Sequence, residues 1–165
     1  MSHKRCDLLM ANSLSFRIET DNTKEVLSEL QDAVERALEI CGGKVETYAK
    51  RNCPVDTGLL RNSITHAVGG KHISGTYHAE KGSSYTKKGN RRSAGSAKAG
   101  SVGFGSYSGS IGQEGDNTVY IGSNVEYAAY NELNHKTKSG FLRKAIENHL
   151  SEYKNVIQSE LAKGN

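Results

Sequence analysis

Asp56-Thr57-Gly58 is the tripeptide in this chain with the clearest chemical precedent. In aspartic proteases two such loops meet, and two carboxylates held side by side share one proton because both cannot ionise at once. This chain carries one copy, so that chemistry would need a dimer. The surroundings point elsewhere. A long amphipathic pattern and Pro54 precede the triplet and Leu59-Leu60-Arg61 follows it, whereas the protease loop lies between strands. Asp and Gly are also favoured in caps and tight turns on backbone grounds alone. Asp56 is therefore expected to be structural, accepting amide hydrogen bonds from a short helical turn that runs to Asn62.

Other chemistry-bearing groups are weaker candidates. Gly95-Ser96-Ala97-Lys98-Ala99-Gly100 has the glycine content of a phosphate loop but neither its Gly-Lys-Ser/Thr ending nor a strand–loop–helix frame. The run from Gly103 to Gly109 is no dinucleotide fingerprint, and low complexity accounts for both stretches. Cys41 and Cys53 lie on one expected helix, ~18 Å apart at ~1.5 Å per residue, which is beyond disulfide reach. None of the six histidines pairs with Cys6, Cys41 or Cys53 at zinc spacing. No catalytic residue, metal or cofactor is implied, and a reducing cytoplasm suits the cysteines. No run approaches the ~20 apolar residues of a membrane span.

Residues 69–115 differ from the rest. They hold twelve of the 18 glycines, nine serines and few aliphatic side chains. Lys71, Lys81, Lys87, Lys88, Arg91, Arg92 and Lys98 face only Glu80 and Glu114, a net of +5 in a chain whose total is +4. Basic residues interleaved with Tyr77, Tyr85, Phe104 and Tyr107 are what a phosphate-tracking, base-stacking segment needs. Lys81, Lys87, Lys88, Arg91, Arg92 and Lys98 are the candidates for facing DNA, and a solvated loop is the plainer alternative. Ile73–Tyr77 and Val102–Tyr107 are expected to form two limbs of a long hairpin.

These residues need a frame to hold them. Leu14, Phe16 and Ile18 alternate with polar neighbours, as in a half-buried strand after a loose tail at 1–13. Asn22 and Glu25 then have capping-box spacing. From Val26 through Leu27, Leu30, Val34, Ala37, Leu38, Cys41, Val45 and Tyr48 to Ala49, apolar residues recur at helical steps, giving a helix of about thirty residues or ~45 Å. Gly42-Gly43 should bend or break it, at about 1 kcal/mol per glycine, and Pro54 should end it. Strands are expected at Ser63–Val68 and Thr118–Gly122, and a short helix at Glu126–Leu133. Ser139 should cap a last helix whose stripe runs from Phe141 to Leu161. The expected fold is a single α+β domain over 14–165. A small antiparallel sheet packs against two long amphipathic helices, with a glycine-rich hairpin or loop inserted at 69–115.

Pro54-Val55-Asp56-Thr57-Gly58-Leu59-Leu60-Arg61-Asn62-Ser63-Ile64, followed later by Val119-Tyr120-Ile121-Gly122 and Glu126-Tyr127-Ala128-Ala129-Tyr130, carries a resemblance. In order and spacing these stretches, with Phe141–Ala145 before the last helix, are similar to the small siphophage proteins named for the tenth gene product of a lambdoid phage. The resemblance spans 24–68 and 117–161. It departs at Leu133-Asn134-His135, where relatives often have an aromatic-Gly-Thr turn, and at a second proline absent before the final helix. It implies a non-enzymatic α+β subunit whose motif residues are Pro54, Val55, Asp56, Thr57, Gly58, Tyr127, Ala128 and Tyr130. It also implies a virion location at the head–tail junction, with assembly in the host cytoplasm. The partners implied are copies of the chain in a ring, six-fold favoured and twelve-fold the alternative. Neighbouring connector and tail-tube or tail-terminator proteins, and DNA in the channel, complete the set. A standalone nucleic-acid-binding module built on 69–115 is the competing reading.

Overall fold

In a computed structural model of the chain, residues 21–80 and 103–163 are described. The 1–13 tail, the strand expected at Leu14–Ile18, and Lys81, Lys87, Lys88, Arg91, Arg92 and Lys98 lie outside that range.

The first helix, α1, runs Thr23–Asn52. Asn22 occupies the cap position but its side chain makes no cap bond, so the expected Asn22–Glu25 box is not formed. The neighbouring Asp21 carboxylate instead accepts the Thr23 amide at 3.0 Å and the Thr23 hydroxyl at 2.5 Å. The helix passes through Gly42-Gly43 without the break that the two glycines allow. The reason is local: a Cβ on Gly42 would collide with the His66 imidazole, so this glycine makes room for a neighbour. The helix does end where expected, with Cys53 extended ahead of Pro54.

Ala33, Ala37, Cys41, Val45, Ala49 and Cys53 are the buried ridge of α1, one small residue every fourth position. Small side chains let neighbours approach closely. Those neighbours are α4 (Phe141–Glu147), α5 (Leu150–Ala162), β1 (Thr65–Val68) and β4 (Val119–Gly122). Phe141, 1 % exposed, is the largest fully buried side chain of the central cluster, which also takes in Leu60, Ile64, Ala128, Ala145 and Tyr153. The last helix is not the single element expected. It breaks at Asn148–His149, and the Tyr153 hydroxyl donates to the Ala145 carbonyl at 2.6 Å, satisfying a group that the break leaves without its helical partner. His149 stacks on Tyr48 of α1, ring centroids 3.5 Å apart. Ser139 is not the cap either. Gly140 holds that position in a left-handed conformation, and the Glu132 carboxylate of α3 (Ala128–Asn134) accepts the Leu142 and Arg143 amides at 3.0 and 3.2 Å.

Among the described residues the strands form two antiparallel pairs. β1 pairs with β4 from Thr65↔Gly122 to Val68↔Val119. β2 (His72–His78) pairs with β3 (Phe104–Ser110) over seven residues, the hairpin expected within the insertion. Its inner face alternates large and absent side chains. Tyr77 lies opposite Gly105 and Tyr107 opposite Gly75, and a Cβ on either glycine would strike the facing phenol. The rings thus cover the gaps left by the glycines, which is how a glycine-rich ribbon obtains cross-strand packing.

Candidate functional site

Cys53 to Leu60 turns the chain sharply between α1 and the five-residue helix α2 (Leu59–Ser63). The cap position of α2 is Gly58, not Asp56, and Gly58 is left-handed at φ 86°. A Cβ there would also meet the Glu80 side chain, so glycine is required twice over. Thr57 serves two neighbours. Its hydroxyl accepts the Leu59 amide at 3.3 Å and its carbonyl accepts the Glu80 amide at 2.7 Å. Glu80 in turn pairs with Arg61. The turn thereby holds the base of the β2–β3 hairpin, where the Ala79 amide also donates to the Gly103 carbonyl at 2.9 Å.

Beside the turn is an open groove of about 560 Å³ lined by Pro54 to Leu60 on one wall and by Tyr127, Asn131, His135, Thr137 and Lys138 on the other. The two stretches that carry the resemblance therefore meet in space. They do so unevenly. Tyr127 lines the groove, Ala128 is buried in the core beneath it, and Tyr130 is exposed and outside the lining.

Several polar groups of this groove are engaged with the fold. Lys138 donates to the Cys53 carbonyl at 3.3 Å, placing a cation at the C-terminal end of α1, where the helix dipole favours one. His135 Nδ1 accepts the Thr137 and Lys138 amides at 3.3 and 3.0 Å. Burial pushes the Cys53 thiol up to about 11, which disfavours the nucleophilic thiolate. Burial likewise raises the Tyr127 phenol, helped by Cys53 and Asp56 nearby. Asp56 is the one carboxylate among the described residues that line the groove.

The sequence profile of the family described as "Bacteriophage HK97-gp10, putative tail-component" matches residues 19–133. The chain belongs to this family. The match covers the turn, the hairpin with its insertion and α3, and it stops before α4 and α5, short of the region to 161 over which the resemblance extends. No curated protein and no solved structure matches the chain. Among the described residues no helix is long and apolar enough to cross a membrane.

Two polar clusters that family membership does not explain also join elements. His66 Nδ1–H donates to the Glu46 carboxylate, 2.6 Å away, and its other nitrogen lies 3.4 Å from Glu39, so β1 is tied to α1. The Glu46 hydrogen bond raises the His66 pKa against the opposing effect of burial. Burial works against the Glu46 carboxylate too, but hydrogen bonds from His66 and Lys50 hold it down to about 2. On the opposite side Glu152 of α5 accepts from Lys44 at 2.6 Å and from Tyr48 at 2.7 Å. Neither cluster was visible in sequence. The clue available was helical spacing on α1, since Glu39 and Glu46 are seven positions apart and share a face.

Proposed function

We propose that this protein is a structural, non-enzymatic subunit of the phage head–tail junction, one member of a neck or tail-completion ring around the DNA channel. The observation that carries this reading is the use to which the motif is put. Thr57 and Gly58 clamp the hairpin base to the start of α2, and Tyr127 lines the far wall of the same groove above the buried Ala128. A site built for chemistry would leave a nucleophile or an acid–base pair poised near a substrate-sized space. Six-fold symmetry is favoured, since tail tubes resemble stacked hexamers, and twelve-fold is the portal-side alternative. Head-completion or connector proteins and tail-tube or tail-terminator proteins are its neighbours. The excess positive charge of the insertion, at Lys81, Lys87, Lys88, Arg91, Arg92 and Lys98, suits a lumen that passes DNA of any sequence.

Deleting the gene from its phage is the test. Filled heads and finished tails should accumulate unjoined, and infectious particles that lack this chain overturn the reading. A second arm reverses the charges at Lys87, Lys88, Arg91 and Arg92. Impaired DNA retention is expected, and unchanged infectivity removes the DNA-facing role while leaving the ring subunit in place.

A further inference from the structure

The apolar stripe of α1 outruns the domain that buries it. Residues 21–32 are exposed throughout, and within them Val26, Leu27 and Leu30 are 59, 58 and 47 % exposed. Asp21, Glu25, Glu29 and Asp32 surround these side chains against Lys24 alone, a net charge of −3 over 21–32. At the other end of the helix the signs invert. Tyr130 and Leu133 on α3 are 65 and 75 % exposed. Glu132 between them is turned inward to hold the first turn of α4, which brings α3 and Arg143 together. Lys136, Arg143 and Lys144 are exposed, and Lys144 shares a cleft with Arg51 at the end of α1.

We propose that these two patches are the two halves of one interface between copies of this chain. The acidic, apolar start of α1 docks on the basic, apolar α3–α4 corner of the next copy. Each patch has an apolar centre and a charged rim, and the rims are opposite in sign. The patches are different surfaces on one molecule, separated by most of the length of α1. The contact is therefore heterologous, and such contacts propagate head to tail until rotation closes a ring. The inference rests on the ring reading for closure and adds to it the faces that meet.

Charge reversal with rescue by mixing is the test, on the full chain. One variant carries Glu25→Lys and Glu29→Lys, and the other carries Lys136→Glu and Arg143→Glu. All four positions are exposed or at the rim, so circular dichroism and melting should match the parent. Sedimentation over a concentration series should show the parent self-associating and each variant alone weakened by at least about tenfold, through like-charge contact. An equimolar mixture of the two variants should regain the assembly, because the lysine-bearing α1 end then meets the glutamate-bearing corner. Carbodiimide should join Glu25 or Glu29 to Lys136 or Lys144 between chains. Several results overturn the proposal: a parent that stays monomeric at millimolar concentration, variants that do not recover on mixing, or cross-links from Glu25 to Lys4 of the same chain. Assembly that both reversals leave untouched sinks this interface while the ring reading stands.

Discussion

The two ends of α1 carry the same kind of pattern and meet different fates. From Ala33 to Ala49 the stripe is covered by α4, α5, β1 and β4, while the three residues Val26, Leu27 and Leu30 lie open. Periodicity says that one face of a helix wants cover, and nothing in it says whether the cover comes from the same chain. Side-chain size separates the two ends. The covered ridge is built of Ala, Cys and Val, suited to close helix packing inside one chain. The open end carries larger, branched side chains beside acidic ones, the make-up of an interface with a charged rim.

The sharpest way to break that contrast is to empty each end in turn. Phe141→Ala removes the largest fully buried side chain of the core and should cost about 3–5 kcal/mol. Leu30→Ala should fall within about 0.5 kcal/mol. Denaturant midpoints of the dilute protein read both, and a large loss for Leu30→Ala would show that the open end is covered within its own chain.

The adjacent glycines sharpen the comparison at smaller scale. Gly43 has open space around its Cβ position, so Gly43→Ala should stabilise by up to about 1 kcal/mol through helix propensity. Gly42→Ala must displace a His66 ring held by Glu46 and should destabilise by about 1–3 kcal/mol. Equal effects at the two positions would mean that the β1–α1 seam is slack.

The smallest expected effect is on pH dependence. The folded pKa of His66 is raised, so its contribution is fully present below the ordinary value of 6.5 and fades as pH rises through the folded value. The depressed Glu46 behaves oppositely, its contribution present above 4.5 and lost as pH falls towards about 2. Melting temperature should therefore decline gently above pH 6.5, and His66→Gln should flatten that decline. An unchanged slope in the variant would assign the decline to another group.

Much of the architecture was legible because it rests on local chemistry. The span of α1, its end at Pro54, the strand at Val119–Gly122 and both limbs of the hairpin follow from periodicity and from proline geometry. What escaped depends on partners distant in sequence. Gly42 reads as a helix breaker until His66 is placed over it, and Phe141–Leu161 reads as one stripe until the stack of His149 on Tyr48 is seen. The start of α4 looks capped by Ser139, yet the oxygens come from Glu132, seven residues earlier on another helix. The motif pair was legible as a pair. The cap position falls at the left-handed Gly58, two positions on from Asp56.

The clamp at Thr57, Glu80, Ala79 and Gly103 has an evolutionary consequence. It closes the hairpin from below with backbone hydrogen bonds, which any side-chain sequence between Glu80 and Gly103 leaves in place. Closing a longer excursion is cheap, since doubling a flexible loop costs only about 0.6 kcal/mol. Lineages carrying this clamp are therefore free to lengthen, shorten or recharge that excursion while the scaffold below stays constant.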